Sequence, residues 1–131
     1  MYLTKVKNID GKLNTMKILC SYTTDFPMTL GRHKIWDKVD GHKVSRIVYT
    51  NETEDTVYLD YIEVYRGYRG KGLGNELLTD FLDAVDKAHK QVYLLVDSAN
   101  MTNEEAVRWY RKFGFVEKPK GSFIFMYRDA R

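Results

Sequence analysis

Val64-Tyr65-Arg66-Gly67-Tyr68-Arg69-Gly70-Lys71-Gly72-Leu73-Gly74 joins a strand to a helix through four glycines. Glycine at such density lets the backbone turn sharply and lie open to something close. A helix start carries free amide donors and a partial positive charge, both of which favour an anion. Arg66, Arg69 and Lys71 add formal charge in the same place. A bound phosphate or pyrophosphate is the direct physical reading.

On the downstream side, Leu73, Leu77, Leu78, Phe81, Leu82 and Val85 share one face at helical spacing. Asp83/Lys87 and Asp86/Lys90 stand four apart with the acid first, so a helix is predicted from Asn75 to Lys90. Val92 to Val96 follows as an unbroken apolar run, read as a strand buried on both faces. Thr102-Asn103-Glu104-Glu105 forms a capping box, and the helix it opens stops at Gly114. Phe115–Lys118 and Ser122–Tyr127 are predicted strands around Pro119-Lys120-Gly121.

On the upstream side, Thr56 to Val64 reads as a strand. Ile35–Val39 and Lys43–Thr50 flank a hairpin turn at Asp40-Gly41. Tyr2 to Val6 reads as a strand, and Met16 to Tyr22 as either a helix or a strand. The order gives an α+β class: a mixed, mainly antiparallel twisted sheet with helices on both faces. With 131 residues and no linker, residues 1–131 form a single expected domain.

Composition removes several classes. Hydrophobic residues at 44% and charged residues at 30% exclude intrinsic disorder. One cysteine, Cys20, makes no internal disulfide, and three scattered histidines give no metal spacing, so no metal is expected. No stretch approaches the ~20 apolar residues of a membrane span, and the start lacks a signal-peptide pattern. The expectation is a cytoplasmic protein with no membrane partner. Seven basic against two acidic residues from Arg108 onward make that end positive, read as a solvated surface.

The loop fits neither common nucleotide motif. After Gly67 and Gly72 comes Leu73, where a triphosphate loop requires Lys and then Ser or Thr; Asn75 stands where a dinucleotide fingerprint requires glycine. What fits is Arg-x-x-Gly-x-Gly at Arg69, Gly72 and Gly74. With Val64 five residues before Arg69, this resembles the coenzyme A loop of the GNAT superfamily of N-acetyltransferases. Further on, Asn103, Ala106, Tyr110, Gly114 and Phe115 match a second run common in that family. The resemblance covers roughly residues 56–127.

It implies an acetyltransferase moving an acetyl group from acetyl-CoA to a primary amine by direct attack. The loop Arg69, Gly70, Lys71, Gly72, Leu73 and Gly74 would hold the pyrophosphate, and the main chain of Val64 would pair with the pantetheine arm. Asn103 would contact or support that arm, and Tyr110 would protonate the departing thiolate. The acceptor amine, on a small molecule or a protein, is left open, as is a monomer or homodimer state.

Chemistry adds a requirement for a base. An amine near pKa 10.4 is neutral only about once in two thousand molecules at pH 7. Leu95 and Tyr58 stand where the family often has glutamate. Asp60, Glu63 and Asp97 are the available carboxylates, with Asp60 and Glu63 on opposite faces by parity and Asp60 preferred as base. Asp60 has a competing role as an ion-pair partner of Arg46 across the hairpin, and it could join the acidic turn Glu52 to Asp55 in attracting a cationic amine.

Two alternatives belong to other classes. A non-catalytic acyl-CoA-binding or protein-partner module would keep the loop and lack a base. Arg111 to Val116 resembles an RNA-recognition signature, but Lys112 and Lys118 occupy positions that need glycine and an aromatic. That signature also needs a strand where a capped helix is predicted, so no nucleic acid is expected.

Overall fold

The structure is a computed structural model, describing residues 5–8, 17–20, 26–39, 41–97 and 101–131. The strands are β1 (Lys5–Asn8), β2 (Lys17–Cys20), β3 (Gly31–Val39), β4 (His42–Asn51), β5 (Thr56–Val64), β6 (Gln91–Leu95), β7 (Val116–Lys120) and β8 (Phe123–Arg128). The helices are α1 (Leu73–Lys87) and α2 (Asn103–Arg111). The strands form one sheet in the order β1-β2-β3-β4-β5-β6-β8-β7. All neighbours are antiparallel except β5 and β6, which α1 connects as a parallel crossover.

The fold class is the mixed, mainly antiparallel α+β sheet expected from the sequence. Helices on both faces were expected; the described residues show them on one, with both helices packing against Ile47, Tyr49, Val57, Leu59, Leu94 and Met126. Arg128 of β8 joins the two helices: it bonds Asp86 of α1 and the Phe113 carbonyl beyond α2. The opposite face of β5, β6 and β8 carries Tyr58, Tyr93 and Tyr127 in ring contact. β6 is thus buried on its helix face and only half-buried on the other, where a strand buried on both was expected.

Helix α1 begins two residues earlier than the predicted Asn75–Lys90 span and ends three earlier. At its end, His89 has a φ of 55°, which no α-helix tolerates. Asp86 consequently pairs with Arg128, and the Lys90 ammonium donates to the Thr53 carbonyl at 3.0 Å, so the expected Asp86/Lys90 pair does not form. At the start of α2 half of the expected capping box forms: the Glu105 amide donates to the Thr102 hydroxyl at 3.1 Å, while the Glu105 carboxylate accepts from that hydroxyl in place of the Thr102 amide.

Residues 16–22, open between helix and strand, contain β2 within the described part. The expected strand Tyr2–Val6 overlaps β1 at Lys5 and Val6; its first three residues lie outside the described part. The β3–β4 hairpin forms with Gly41 at a φ of 81°, while Asp40 also lies outside it.

Candidate active site

Strands β5 and β6 pair only over Thr56–Tyr58 with Gln91–Tyr93, and beyond that point they separate. The gap continues into a cavity of about 640 Å³. One end of this cavity is the glycine loop and the start of α1. The other is bordered by Tyr58, Asp60 and Asp97.

The strand edge at the gap is a hydrogen-bonding surface. Antiparallel pairs alternate between bonded and non-bonded. The Tyr65 amide donates to the Val44 carbonyl, so the adjacent pair Val64/Ser45 is non-bonded. The N–H and C=O of Val64 therefore point away from β4 into the gap. An extended amide-bearing chain can add there as a strand, which is the role the family resemblance implies for Val64.

The loop supplies a place for an anion. Gly67, Gly70 and Gly72 have φ of 94°, 76° and 79°, and a Cβ on each would meet nothing within 4 Å, so conformation explains these glycines. Gly72 is the N-cap of α1 and contributes no side-chain acceptor, which leaves the first-turn amides available to a ligand. Gly70, Gly72, Leu73 and Gly74 line the cavity; the Leu73 side chain is in the core, so its backbone is what it offers. Lys71 is exposed beside them and outside the cavity lining. Arg69 takes an additional role: its Nε donates to the Val64 carbonyl at 2.8 Å, tying the loop to the strand end.

Tyr110 lines the same cavity, its ring against Trp109 and Phe115 with centroids 4.9 and 5.6 Å away. Burial pushes its hydroxyl up to about 12, so it stays protonated at any working pH. Asn103 is not brought to the cavity. Thr102 takes the cap of α2, and Asn103 begins the helix on the exposed side.

The carboxylates are arranged differently from simple parity. Val48 pairs with Tyr61 and Tyr49 with Leu59, so Asp60 is the extra residue of a β-bulge. The bulge resets the alternation. Asp60 accepts from Thr50, and Glu63 accepts from Arg46 two pairs along the same face of β4, so both carboxylates share the face opposite the helices. Asp60 does not pair with Arg46. Its Oδ2 takes the Thr50 hydroxyl at 2.8 Å, and Arg32 stands 4.0 Å from its Oδ1. Asp60, Glu63 and Asp97 all line the cavity.

Tyr68, Asn75 and Trp109 also line the cavity and were not singled out from the sequence. The Trp109 indole donates to the Asn75 side chain, bridging α2 to α1 beside the loop. Tandem aromatics on an amphipathic helix carry only a packing signal until their neighbours are known. Of the aromatics of the RNA-like signature, Phe113 is half-buried against the core and Phe115 is fully covered, which withdraws Phe115 from base stacking. Among the described residues no helix is long and apolar enough to cross a membrane, and no group of three His, Cys, Asp or Glu side chains forms a metal site.

No curated protein matches this chain. Among solved structures it is similar to Ard1 from Thermoplasma volcanium, at 25% identity over 75% of this chain and 70% of that one, with a TM-score of 0.63. It is similar to Arabidopsis thaliana Naa50, in complex with the bisubstrate analogue CoA-Ac-MVNAL, at 25% identity over 72% and 70%, with a TM-score of 0.58. An acetyltransferase from Thermus thermophilus shares the fold at 19% identity and a TM-score of 0.62, over 76% of this chain and 64% of its own length, under two thirds. The model of the acetyltransferase (GNAT) family matches residues 18–115, well over half of the sequence. With the motif runs, the splayed strands and that match, the chain belongs to the GNAT acetyltransferase family.

Proposed function

We propose that the protein is an N-acetyltransferase that uses acetyl-CoA and a primary amine in a ternary complex. The observation that carries this reading is the gap between β5 and β6, with an anion-binding helix start at one end and Tyr110 in its wall. Coenzyme A or a derivative of it bound to a relative supports the choice of ligand. The residues present fit that ligand: open positive-φ glycines and free helix amides for a pyrophosphate, and the Val64 backbone for an amide-bearing arm.

When bound, acetyl-CoA supplies a thioester carbonyl and a sulfur leaving group. The loop Arg69 to Gly74 holds the phosphates, and the Val64 N–H faces the arm. The Tyr110 hydroxyl gives its proton to the departing sulfur. Asp60, directly or through water, takes the proton that the attacking amine loses. One N–C bond forms, one C–S bond breaks, and the products are an amide and a thiol.

A thermal-shift titration with acetyl-CoA, coenzyme A and ATP, followed by a free-thiol assay with amines, tests the reading. A ligand binding only the folded state stabilises it with the logarithm of its concentration over Kd. Stabilisation by the coenzyme A species alone, with amine-dependent thiol release, is the expected result. No shift with any of them overturns the cofactor assignment.

A further inference from the structure

Granted that transfer, on which this inference rests, the glycine loop and the start of α1 take one end of the cavity for the cosubstrate, which leaves the end on the sheet face opposite the helices for the acceptor. That mouth of the cavity is lined by Tyr58, Asp60 and Asp97. The Tyr58 ring lies 4.9 Å from Tyr93, which stacks on Tyr127 at 5.7 Å. The Tyr93 hydroxyl donates to Glu52 at 2.6 Å, setting a third carboxylate at the edge of the ring pair. All three carboxylates act on one phenol: burial first, then the charges of Asp60, Glu52 and Asp97, holds the Tyr58 hydroxyl above its ordinary value. The far end of the aromatic row already takes a cation, with the Lys118 ammonium 4.8 Å from the Tyr127 centroid.

This arrangement is ill suited to an acceptor with one amino group. Carboxylates stabilise an ammonium, and an ammonium is not a nucleophile. A single amine drawn in by that charge would arrive in its unreactive form. Two amino groups divide the tasks. A distal ammonium rests against Tyr58 and the carboxylates, while the proximal amine reaches the thioester. The distal charge also lowers the proton affinity of the proximal nitrogen.

We propose that the acceptor is an aliphatic diamine or longer oligoamine, held through a distal ammonium by Tyr58 and Asp97, with Glu52 adding negative charge from beside the cavity, and acetylated on its proximal amine. The proximal nitrogen bonds to the carbonyl carbon as the C–S bond breaks, its proton passing toward Asp60 and the sulfur taking one from Tyr110. The methylene spacer lies along the tyrosine rings.

The test is a thiol-release assay on the intact chain at saturating acetyl-CoA. Butylamine, diaminobutane and a peptide lacking lysine and arginine serve as acceptors. Diaminobutane is expected to exceed butylamine in kcat/KM by about tenfold at low salt, the sum of several exposed charge and cation–π contacts. Added salt narrows that ratio, and so do Glu52→Gln and Asp97→Asn, read separately with folding checked by melting temperature. Equal use of the two amines, or preference for the neutral peptide, overturns the acceptor assignment and leaves the transferase reading intact. Absence of transfer to every amine, in a protein that acetyl-CoA still stabilises, overturns both.

Discussion

Tyr110 and Arg69 show what single side chains contribute beyond their motif positions. Tyr110→Phe is expected to lower kcat by about 10²-fold, the scale of one proton-transfer group, while acetyl-CoA stabilises the variant as before. A change under twofold in steady-state turnover removes Tyr110 as the proton donor. Its hydroxyl is pushed up to about 12, above the ordinary value of about 10. Two consequences follow for a pH series. Any alkaline fall in rate with a midpoint below pH 10 would have another origin, so Tyr110→Phe is expected to leave that midpoint in place. The stability that burial of the neutral phenol contributes is complete below pH about 10 and is lost as pH rises toward the folded value. Arg69 was legible as a cation near the phosphates, but not as the donor to the Val64 carbonyl. Arg69→Gln is therefore expected to weaken both coenzyme A and a phosphate-free pantetheine fragment in calorimetric titration. Loss confined to coenzyme A would assign the side chain to the phosphates alone. Asp60 was legible as a carboxylate on the central strand. Its bulge was not, because an extra residue in a ladder depends on the partner strand and leaves no mark in its own sequence.

Helix α1 and its glycine entry separate two kinds of glycine that look alike in the sequence. Gly72 sits at a φ of 79° with open space around it; Gly74 has an ordinary helical conformation, and a Cβ there would make contacts of 3.6 and 3.7 Å with Val64 and Trp109. Gly72→Ala should cost about 1 kcal/mol, the strain of a left-handed non-glycine residue, visible as a lower melting temperature. Gly74→Ala should leave stability equal or higher, since alanine favours a helix by about 1 kcal/mol and the contacts are of normal length. Elements with strong local signals were legible: β5 appears with the bounds its sequence suggests, and the cap of α2 forms on Thr102. The helix end near Lys90 was misplaced, because Arg128 and Thr53, distant in sequence, claim the two residues that would have paired along the helix. Residues 16–22 stayed ambiguous for a related reason. A short apolar run acquires its type from the strand beside it, here β1 and β3.

The molecule as a whole depends on a few contacts between distant parts. Arg128, 4% exposed, holds Asp86 through two hydrogen bonds and keeps that carboxyl below its usual range. This contribution is present above the unfolded carboxylate value of about 3.9 and is lost as pH falls through the folded one. Asp86→Ala is expected to cost about 3 kcal/mol by leaving the buried guanidinium without its counter-charge, with part of the wild-type acid sensitivity lost. Chemical denaturation at pH 7 and pH 3 checks both. The three-residue junction between β5 and β6 has a further consequence. From β3 onward the sheet is two leaves sewn at one end, β3–β5 and β6–β8, with the seam reinforced by α1 and the Arg128 contacts. Cooperative opening should then proceed leaf by leaf, the β6–β8 leaf parting from the seam before either leaf loses its own ladders. In native-state hydrogen exchange the Val64 amide, facing the gap, should exchange early. It should slow markedly once acetyl-CoA bridges the two leaves, so the cosubstrate would act as the missing stitches of the sheet.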